Sequence, residues 1–464
     1  MHWEWISYSI TLKRKRFQNG GCQMKKSTVI KAVGLLTVAV IAGTALTGCG
    51  KSSSKASKGS DKDVTVWVNS SDETPEGKAW EKISEKFNAD NGKGYKVKVE
   101  YSPRSGSGGG YEDKVNAAIT TNTLPDIISL DGPNTAAYAS SKVIAPLDDY
   151  LKDAKMDDVL DSIKKQGTYN GKFYAFGFSE SGVGVYYNKK MFKEAGIDPT
   201  TLPTLQNPWT WQEFQAVSAK IKEKFNSPAI DIQLANADEM LTYAYTPFIW
   251  SNGGDVVSED GKKAEGYFND KKSVAGLQFI QDLVKKGYTT NTPVKKGFET
   301  GKYAMLLSGS WTMADLAANY KDIDYGILPY PVSDTTKKLV APTGSWELAM
   351  SSATKKKEAA AAFIVYATNT ESSKIMSLGN QVLPIRKSTA ELIKNDIPEG
   401  MKFLMEQNQL SGKSRPVVVA YPQVSRAFQQ AAADAGYFKE NPDVQKVADT
   451  RAAEMQAAID KAKK

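Results

Sequence analysis

The chain has very few of the residues that most often perform acid–base, thiol or zinc chemistry. Among its 464 residues there are two cysteines, Cys22 and Cys49, and a single histidine, His2. If residues 1–48 are removed, as argued below, one cysteine and no histidine are left. This scarcity excludes histidine-based triads, thiol catalysis and Cys/His zinc sites from the body of the protein. We therefore expect no catalytic residues, no metal and no cofactor.

The net positive charge is also small once the amino terminus is set aside. The formal net charge is +8, but residues 1–48 hold seven Lys or Arg against one acidic residue. Removing that surplus of six leaves the body at +2. Phosphate backbones need clustered positive charge, so a nearly neutral body argues against nucleic acid as a partner.

The amino terminus has the pattern of a secretory leader that begins at Met24. Three lysines precede an apolar run, residues 32–45, which is shorter than the roughly 20 residues needed to span a bilayer. The run is typical of a signal peptide core. Residues 1–23 fit no leader pattern, and we attribute them to an upstream start codon.

The segment that follows the apolar run predicts attachment to a membrane. Leu46-Thr-Gly-Cys49 resembles the lipobox of bacterial lipoproteins, which implies that Cys49 is acylated, as by palmitate, and becomes the first residue. The alternative is an ordinary secreted protein with a chance cysteine. Residues 49–62 are mostly Ser, Lys and Gly, a composition typical of a flexible tether that spans roughly 20 Å. We predict signal peptide 1–48 and a lipid-anchored tether 49–62 on the extracellular face of the cell membrane.

The next residues predict an α/β fold. Residues 64–68 are nearly all apolar, 80–87 have apolar residues at helical spacing, and 97–101 alternate, which predicts a parallel β-α-β unit. Residues 124–130 predict another buried strand, with Asp131 just past its carboxyl end, where α/β proteins bind ligands. The glycine loop at 104–110 lacks the spacing of a nucleotide-binding motif.

A stretch from Tyr169 to Phe214 predicts that the chain leaves one lobe for another. Two β-prone runs separated by Gly177 and Gly182 precede a helix, and Thr210 with Glu213 then forms a capping box. This stretch resembles the crossover of family 1 extracellular solute-binding proteins, the sugar-capturing components of ABC importers that include maltodextrin- and multiple-sugar-binding proteins.

The resemblance implies a type II periplasmic-binding-protein fold, an α/β architecture of two discontinuous lobes with a ligand cleft between them. We predict lobe 1 at 63–175 and 329–383, and lobe 2 at 176–328 and 384–464. Lobe closure around a ligand is likewise implied by the class of protein.

The resemblance also points to residues that face the cleft. Sugars have apolar ring faces that stack on aromatic side chains, and hydroxyls that bond to charged groups. The candidate ligand-binding residues are Trp311, Asp131, Trp346, Glu347, Trp250, Tyr243, Arg104, Arg386 and Asp72. For each tryptophan and for Tyr243 the alternative is a core position, and for the two aspartates it is a helix cap.

Arginine is informative because it is rare in the body. Only five arginines follow residue 48, at 104, 386, 415, 426 and 451, against 48 lysines. Arginine is chosen over lysine where its planar fork is needed. Arg104 and Arg386 are expected at the cleft, with Arg415 close by, and each has a lobe–lobe ion pair as its alternative role.

The function implied is that of a monomeric, membrane-tethered receptor that binds a mono- or oligosaccharide and delivers it to the transmembrane subunits of an ABC permease. No tryptophan between 421 and 426 matches a late stacking residue of the maltodextrin-binding proteins, which favours a smaller or differently linked sugar. Two alternatives stay open: a non-sugar solute such as a polyamine or a glycerol phosphate diester, and a glycoside hydrolase that uses Glu180 and Glu347 as its acid and base.

Overall fold

The computed structural model describes residues 61–103, 110–236, 238–438 and 442–463. The predicted signal peptide, the Cys49 anchor, nearly all of the tether and Arg104 lie outside these ranges. Within them, no helix combines the length and the apolar character that crossing a bilayer requires.

Strands and helices alternate through most of the described chain. The strands are β1 (Asp63–Val68), β2 (Lys96–Tyr101), β3 (Ile127–Asp131), β4 (Thr168–Tyr169), β5 (Lys172–Phe173), β6 (Ala175–Asn188), β7 (Ile230–Asp231), β8 (Met305–Gly309), β9 (Tyr325–Leu328), β10 (Ala341–Met350) and β11 (Gly412–Ser414). The helices are α1 (Pro75–Asp90), α2 (Tyr111–Thr121), α3 (Thr135–Ser140), α4 (Asp161–Gln166), α5 (Lys189–Glu194), α6 (Trp211–Phe225), α7 (Glu239–Ser251), α8 (Lys271–Lys285), α9 (Trp311–Asn319), α10 (Lys357–Ala367), α11 (Thr370–Asn380), α12 (Lys387–Ile393), α13 (Glu399–Ser411), α14 (Tyr421–Ala433) and α15 (Val444–Ala462).

One long sheet connects the two ends of the molecule. Its strand order is β2-β1-β3-β10-β6-β8-β7, with β11 beside β10 and β9 beside β6. Strands β1 and β2 are parallel and joined by α1, which confirms the predicted β-α-β unit. The predicted capping box of α6 is also present, since Thr210 accepts from the Glu213 amide and Glu213 accepts from the Thr210 amide.

The crossing between the two ends is a continuous strand, not the two separate runs predicted from the sequence. Residues 175–182 of β6 pair with β10, and residues 183–188 pair with β8 and β9. Gly177 and Gly182, which suggested a break, lie inside β6. A Cβ on Gly177 would stand 2.9 Å from the Ile163 side chain, and one on Gly182 would stand 3.0 Å from Asn408. These glycines therefore allow close packing against the strand and do not end it.

Buried apolar side chains form separate cores on the two sides of this crossing. The clusters around β1, β3 and the first half of β6 draw residues from 64–178 and from 348–385. The clusters around β7, β8 and the second half of β6 draw residues from 183–341 and from 383–459. We call these bodies lobe 1 and lobe 2. Each is built from discontinuous stretches, and the residue boundaries given above stay a prediction.

Candidate functional site

A cavity of about 310 Å³ lies where lobe 1 and lobe 2 meet. Its walls come from the carboxyl end of β3, the middle of β6 and β10, the start of α7, the start of α9 and the residue after β11. The carboxyl edge of β3 is where the sequence predicts ligand binding, and the cavity is found there. Side chains from both lobes therefore reach the same space.

The register of the sheet builds the lobe 1 wall. Trp346 on β10 pairs with Asp131 on β3 and with Ser179 on β6. Residues directly opposite each other in antiparallel strands project from the same face, so these three side chains stand side by side along the cavity. A register shift between Trp346 and Glu347 follows at once, as at a β-bulge.

Trp311 gives the cavity an exposed aromatic surface. It is the first residue of α9 and keeps 38% of its surface exposed. Its ring lies 6.4 Å from the ring of Tyr243, centre to centre, at an interplanar angle of 33°. Behind it, a Cβ on Gly309 would stand 2.1 Å from the indole, so only glycine leaves room for this ring position. A flat apolar face is thus held open beside polar groups.

Tyr243 is held by hydrogen bonds from the crossing strands. Its hydroxyl lies 2.8 Å from the hydroxyl of Ser181, which also donates to the carbonyl of Gly344 at 2.9 Å. Burial raises the pKa of Tyr243 well above its ordinary value, so the phenol stays neutral. The ring is therefore a fixed neighbour of the exposed indole.

Arg415 connects the two lobes at the cavity wall. Its Nη1 and Nη2 atoms donate to the two carboxylate oxygens of Asp131 in lobe 1, at 2.8 and 2.7 Å. Nη1 also donates to Glu239, the first residue of α7 in lobe 2, and the guanidinium lies over the Tyr243 ring at 4.7 Å. Burial would lower the pKa of Arg415, but the charges of Asp131, Tyr421 and Glu239 raise it well above its ordinary value. The guanidinium therefore stays charged, and it is paired with Asp131 and Glu239.

Two further carboxylates line the cavity. Asp238 caps α7 by accepting from the Met240 amide at 2.9 Å. Glu76, near the start of α1, accepts from the Trp80 indole at 3.3 Å, and burial raises its pKa to about 7. Together with Asp131 and Glu239 they give the cavity four acidic side chains.

Four of the nine residues predicted to bind ligand line this cavity. They are Asp131, Tyr243, Trp311 and Trp346. Arg104 lies outside the described residues. The structure places the other four elsewhere, as the next two paragraphs describe.

Trp250, Asp72 and Arg386 do not line the cavity. The buried Trp250 indole donates to Asp255 at 2.8 Å and contacts Lys413, while Asp72 is exposed on the loop before α1. Arg386 is buried in lobe 1, where its guanidinium donates to the Ala154 carbonyl at 2.9 Å and packs over the Phe176 ring. Its guanidinium donates to backbone carbonyls and pairs with Asp158 at 3.4 Å.

Glu347 and Glu180 are buried beneath the cavity and do not line it. Glu347 accepts from the hydroxyls of Ser345 at 2.8 Å and Thr135 at 3.1 Å. Glu180 accepts from the Gly344 amide at 2.8 Å. Burial raises the pKa of both carboxyls, and for Glu347 the rise is large. The Glu180 carboxyl joins β6 to β10, and the Glu347 carboxyl joins β10 to α3.

The buried Glu347 carboxyl leads to a prediction about pH. Its folded pKa is raised, so the folded state holds a proton that the unfolded state releases, and stability falls as pH rises above about 4.3. At pH 7 this cost amounts to a few kcal/mol at most, on the order of 1.4 kcal/mol for each pH unit above the unfolded pKa. We expect Glu347→Gln to stabilise by about 1 to 2 kcal/mol at pH 7, because the amide keeps only some of the hydrogen bonds, and to give no gain at pH 4.

Urea unfolding at both pH values measures this effect. Glu358→Gln, a change at an exposed carboxyl on α10, is the control and should leave stability unchanged at either pH. An equal effect of Glu347→Gln on stability at pH 7 and at pH 4 would show that the folded carboxyl holds no extra proton and would contradict the prediction.

The sequence predictions missed several residues of this site. Arg415 was named only as a neighbour of the cleft, although its rarity and its place between Ser414 and Pro416 were visible. Glu239 and Asp238 were not chosen, because an acidic pair before an apolar helix is also an ordinary helix start. Glu76 was missed for the same reason. In the described part of the chain, no group of three or more His, Cys, Asp or Glu side chains is arranged to hold a metal ion.

Comparison with known proteins gives a consistent result. Residues 82–402 match a family model described as bacterial extracellular solute-binding protein. The diacetylchitobiose binding protein DasA of Streptomyces coelicolor is 25% identical over 387 residues, covering 80% of this chain and 85% of that protein. The sn-glycerol-3-phosphate-binding periplasmic protein UgpB of Escherichia coli K12 is 29% identical over 275 residues, covering 55% of this chain and 58% of that protein.

The fold is shared with solved structures. The cyclic alpha-maltosyl-1,6-maltose binding protein of Arthrobacter globiformis superposes with a TM-score of 0.71 at 24% identity, covering 86% of this chain and 99% of that one. At this identity the likeness concerns the fold. It confirms the predicted two-lobed, type II arrangement with a cleft between the lobes.

Proposed function

From the premise that this chain belongs to the bacterial extracellular solute-binding proteins of ABC transporters, we propose that it captures an uncharged mono- or oligosaccharide between its lobes. The family and the relatives above are binding proteins and not enzymes. The lobes close on the sugar, and the closed protein delivers it to the transmembrane subunits of a permease. No catalytic step is part of this role.

The observation that carries the proposal is the exposed Trp311 indole inside a cavity rich in carboxylates. A pyranose has an apolar face that stacks on an aromatic ring, an interaction worth about 0.5 to 1.5 kcal/mol beyond burial for aromatic pairs. Its hydroxyls donate to carboxylates in charge-assisted hydrogen bonds worth about 1.5 to 3 kcal/mol each. Trp311, Trp346 and the carboxylates of Asp131 and Glu76 supply both kinds of contact.

The relatives support a carbohydrate without naming it. One matched relative is described as binding diacetylchitobiose, and a structural neighbour as binding a cyclic maltosyl-maltose. Both are uncharged oligosaccharides, whereas UgpB is described as binding sn-glycerol 3-phosphate, an anion. A cavity of about 310 Å³ suits a small sugar better than a long chain. This agrees with the absence of a tryptophan between residues 421 and 426.

Closure requires the ligand to prefer the closed state. Shifting a balance of 1:99 to 99:1 takes about 5.5 kcal/mol of differential binding. A sugar can contact Asp131 and Trp346 of lobe 1 and also Trp311 and Glu239 of lobe 2 only when the two lobes are closed. The sugar itself therefore provides the energy that favours closure.

We further propose that the protein is a monomer held at the extracellular face of the membrane by a lipid on Cys49. The lipobox-like Leu46-Thr-Gly-Cys49 supports this anchor. We expect Cys49→Ala to abolish acylation, so that the chain is found in the culture medium and no longer partitions into detergent. Membrane extraction followed by intact mass measures the lipid. An unmodified Cys49 in the membrane fraction of the wild-type protein would contradict this anchor.

A screen of neutral sugars tests the proposed function. A ligand at a hundred times its dissociation constant stabilises by about 2.7 kcal/mol, which is easily seen in a thermal melt. Calorimetry on each hit should give one site per chain, and the sugar should be recovered unchanged after long incubation. Turnover that Glu347→Gln abolishes would support the hydrolase alternative. Failure of every neutral mono- and oligosaccharide to bind would overturn the sugar proposal.

A further inference from the structure

The arginine at the cavity wall is already neutralised by two carboxylates. Arg415 is 4% exposed, and its fork meets both oxygens of Asp131. Its Nη1 atom also bonds to Glu239 and to the Tyr421 hydroxyl. We call Arg415, Asp131 and Glu239 the Arg415 trio. Its one positive and two negative charges give it a net charge of −1. Its Nε atom has no acceptor among the residues that the structure describes.

The remaining charged groups make the cavity more negative. Glu76 and Asp238 add two carboxylates to the wall, and none of the described lysines lines it. Asp238 receives one backbone N–H and Glu76 one indole N–H, so neither is paired with a cation by these bonds. An entering solute therefore meets the carboxylates of Asp131, Glu239 and Asp238, the Glu76 carboxyl with its pKa raised to about 7, and a guanidinium whose charge is already balanced.

We propose that this arrangement excludes anionic solutes, phosphorylated ones above all, and that Asp131 and Glu239 set this selectivity by occupying Arg415. The inference rests on the proposed function, because it specifies the charge class of the ligand in the same cavity. Phosphate is recognised by arginine forks and other cationic donors, and the fork here faces Asp131. A phosphate that took this fork would leave the Asp131 carboxylate buried without its partner. Hydroxyl and amino groups, which donate hydrogen bonds to carboxylates, meet no such obstacle.

The selectivity is a form of repulsion against the wrong ligand. Like charges placed together at an interface are strongly unfavourable, and proteins use them to reject competitors. The same geometry has a second consequence. If both carboxylates of the Arg415 trio are made neutral, the guanidinium stays in the wall with its charge uncompensated, and the cavity should accept an anion.

The test uses sn-glycerol 3-phosphate, glucose 6-phosphate and inorganic phosphate as anionic probes, measured by calorimetry. The wild-type protein should bind none of them with a dissociation constant below about 1 mM, an affinity of about 4 kcal/mol. The double variant Asp131→Asn, Glu239→Gln should bind at least one about tenfold or more tightly than the wild type. Adding Arg415→Met to the double variant should remove the gain, because the cation is then absent.

The outcomes separate this inference from the proposed function. Micromolar binding of an anionic probe by the wild type would overturn the charge selectivity and leave a solute-binding role intact. A folded double variant that gains nothing, or a gain that survives Arg415→Met, would overturn it as well. If the double variant does not fold, the wild-type titrations and the single variant Asp131→Asn decide. Absence of neutral-sugar binding, with the anion results as predicted, would count against the sugar alone.

Discussion

Replacing Arg415 with methionine is expected to destabilise the protein by about 3 to 5 kcal/mol, the largest effect of any single change considered. Methionine fills much of the space but carries no charge. The Asp131 carboxylate, 8% exposed, loses two charge-assisted bonds, and Glu239 loses its cation. Breaking one side of a buried ion pair leaves the other charge without compensation, which costs more than the pair itself contributes.

Urea unfolding of the wild type and of Arg415→Met measures this loss. Arg426→Met is a matched control, because Arg426 is exposed on α14 and its replacement should change stability by less than about 0.5 kcal/mol. A second variant tests the cause. In Asp131→Asn, Glu239→Gln, Arg415→Met all three charges are removed, and most of the lost stability should return. Equal stability of Arg415→Met and the wild type would contradict the buried trio.

Replacing Trp311 with alanine is expected to weaken sugar binding about 30- to 100-fold, or about 2 to 3 kcal/mol, with little change in stability. The indole is the exposed aromatic surface of the cavity, so its loss removes both the stacking and the apolar area that a sugar face would cover. Because the ring is 38% exposed, removing it disturbs little of the packed core.

Calorimetric titration of the sugar found in the screen measures the change. Tyr267→Ala is the control, since Tyr267 is similarly exposed, at 39%, and does not line the cavity. Its replacement should leave the dissociation constant unchanged. Unaltered affinity in Trp311→Ala would show that the ligand does not stack on this indole.

The fold could be predicted from the sequence because its signals are local and repeated. Buried strands such as 64–68, the β-α-β spacing and the Thr210 capping box are set by neighbouring residues, and each was found as predicted. The crossing strand β6 lies within the stretch 169–214 named from the sequence, but its description as two separate runs was wrong. Gly177 and Gly182 were treated as chain breaks, whereas the structure uses their missing side chains to bring α4 and α13 against β6. That reason depends on residues far away in sequence.

The site was predictable only where local position and chemistry coincide. Asp131 was chosen because it lies at the strand edge where α/β proteins bind ligands, and Trp311 because its position resembles a family position. Both side chains line the cavity. Glu347 was chosen because its loop resembles one of the family's, and Arg386 because arginine is rare and its loop was expected at the cleft. Both side chains are buried and do not line the cavity. Whether a charged residue faces a cleft or a core depends on strand register and on partners hundreds of residues away.

The ion-pair partners of Arg415 could not be predicted from the sequence either. Its scarcity suggested a special role, but its partners are 284 residues before it, at Asp131, and 176 residues before it, at Glu239. No pattern along the chain indicates that these three meet. The structure agrees with the alternative role given for this arginine, a lobe–lobe ion pair. It is a buried link between the lobes, and we infer that it is not a receptor for an anionic ligand.

Hydrogen exchange with and without the bound sugar tests the central claim most directly. If a neutral sugar is held between the lobes, peptides from both lobes should slow together on binding, namely those containing Ser179 and Ser181, Glu239 to Tyr243, Trp311, and Gly344 to Trp346. Exchange at the Tyr267 loop should stay the same. Protection limited to one lobe, or found only at surfaces remote from the cavity, would contradict capture by closure.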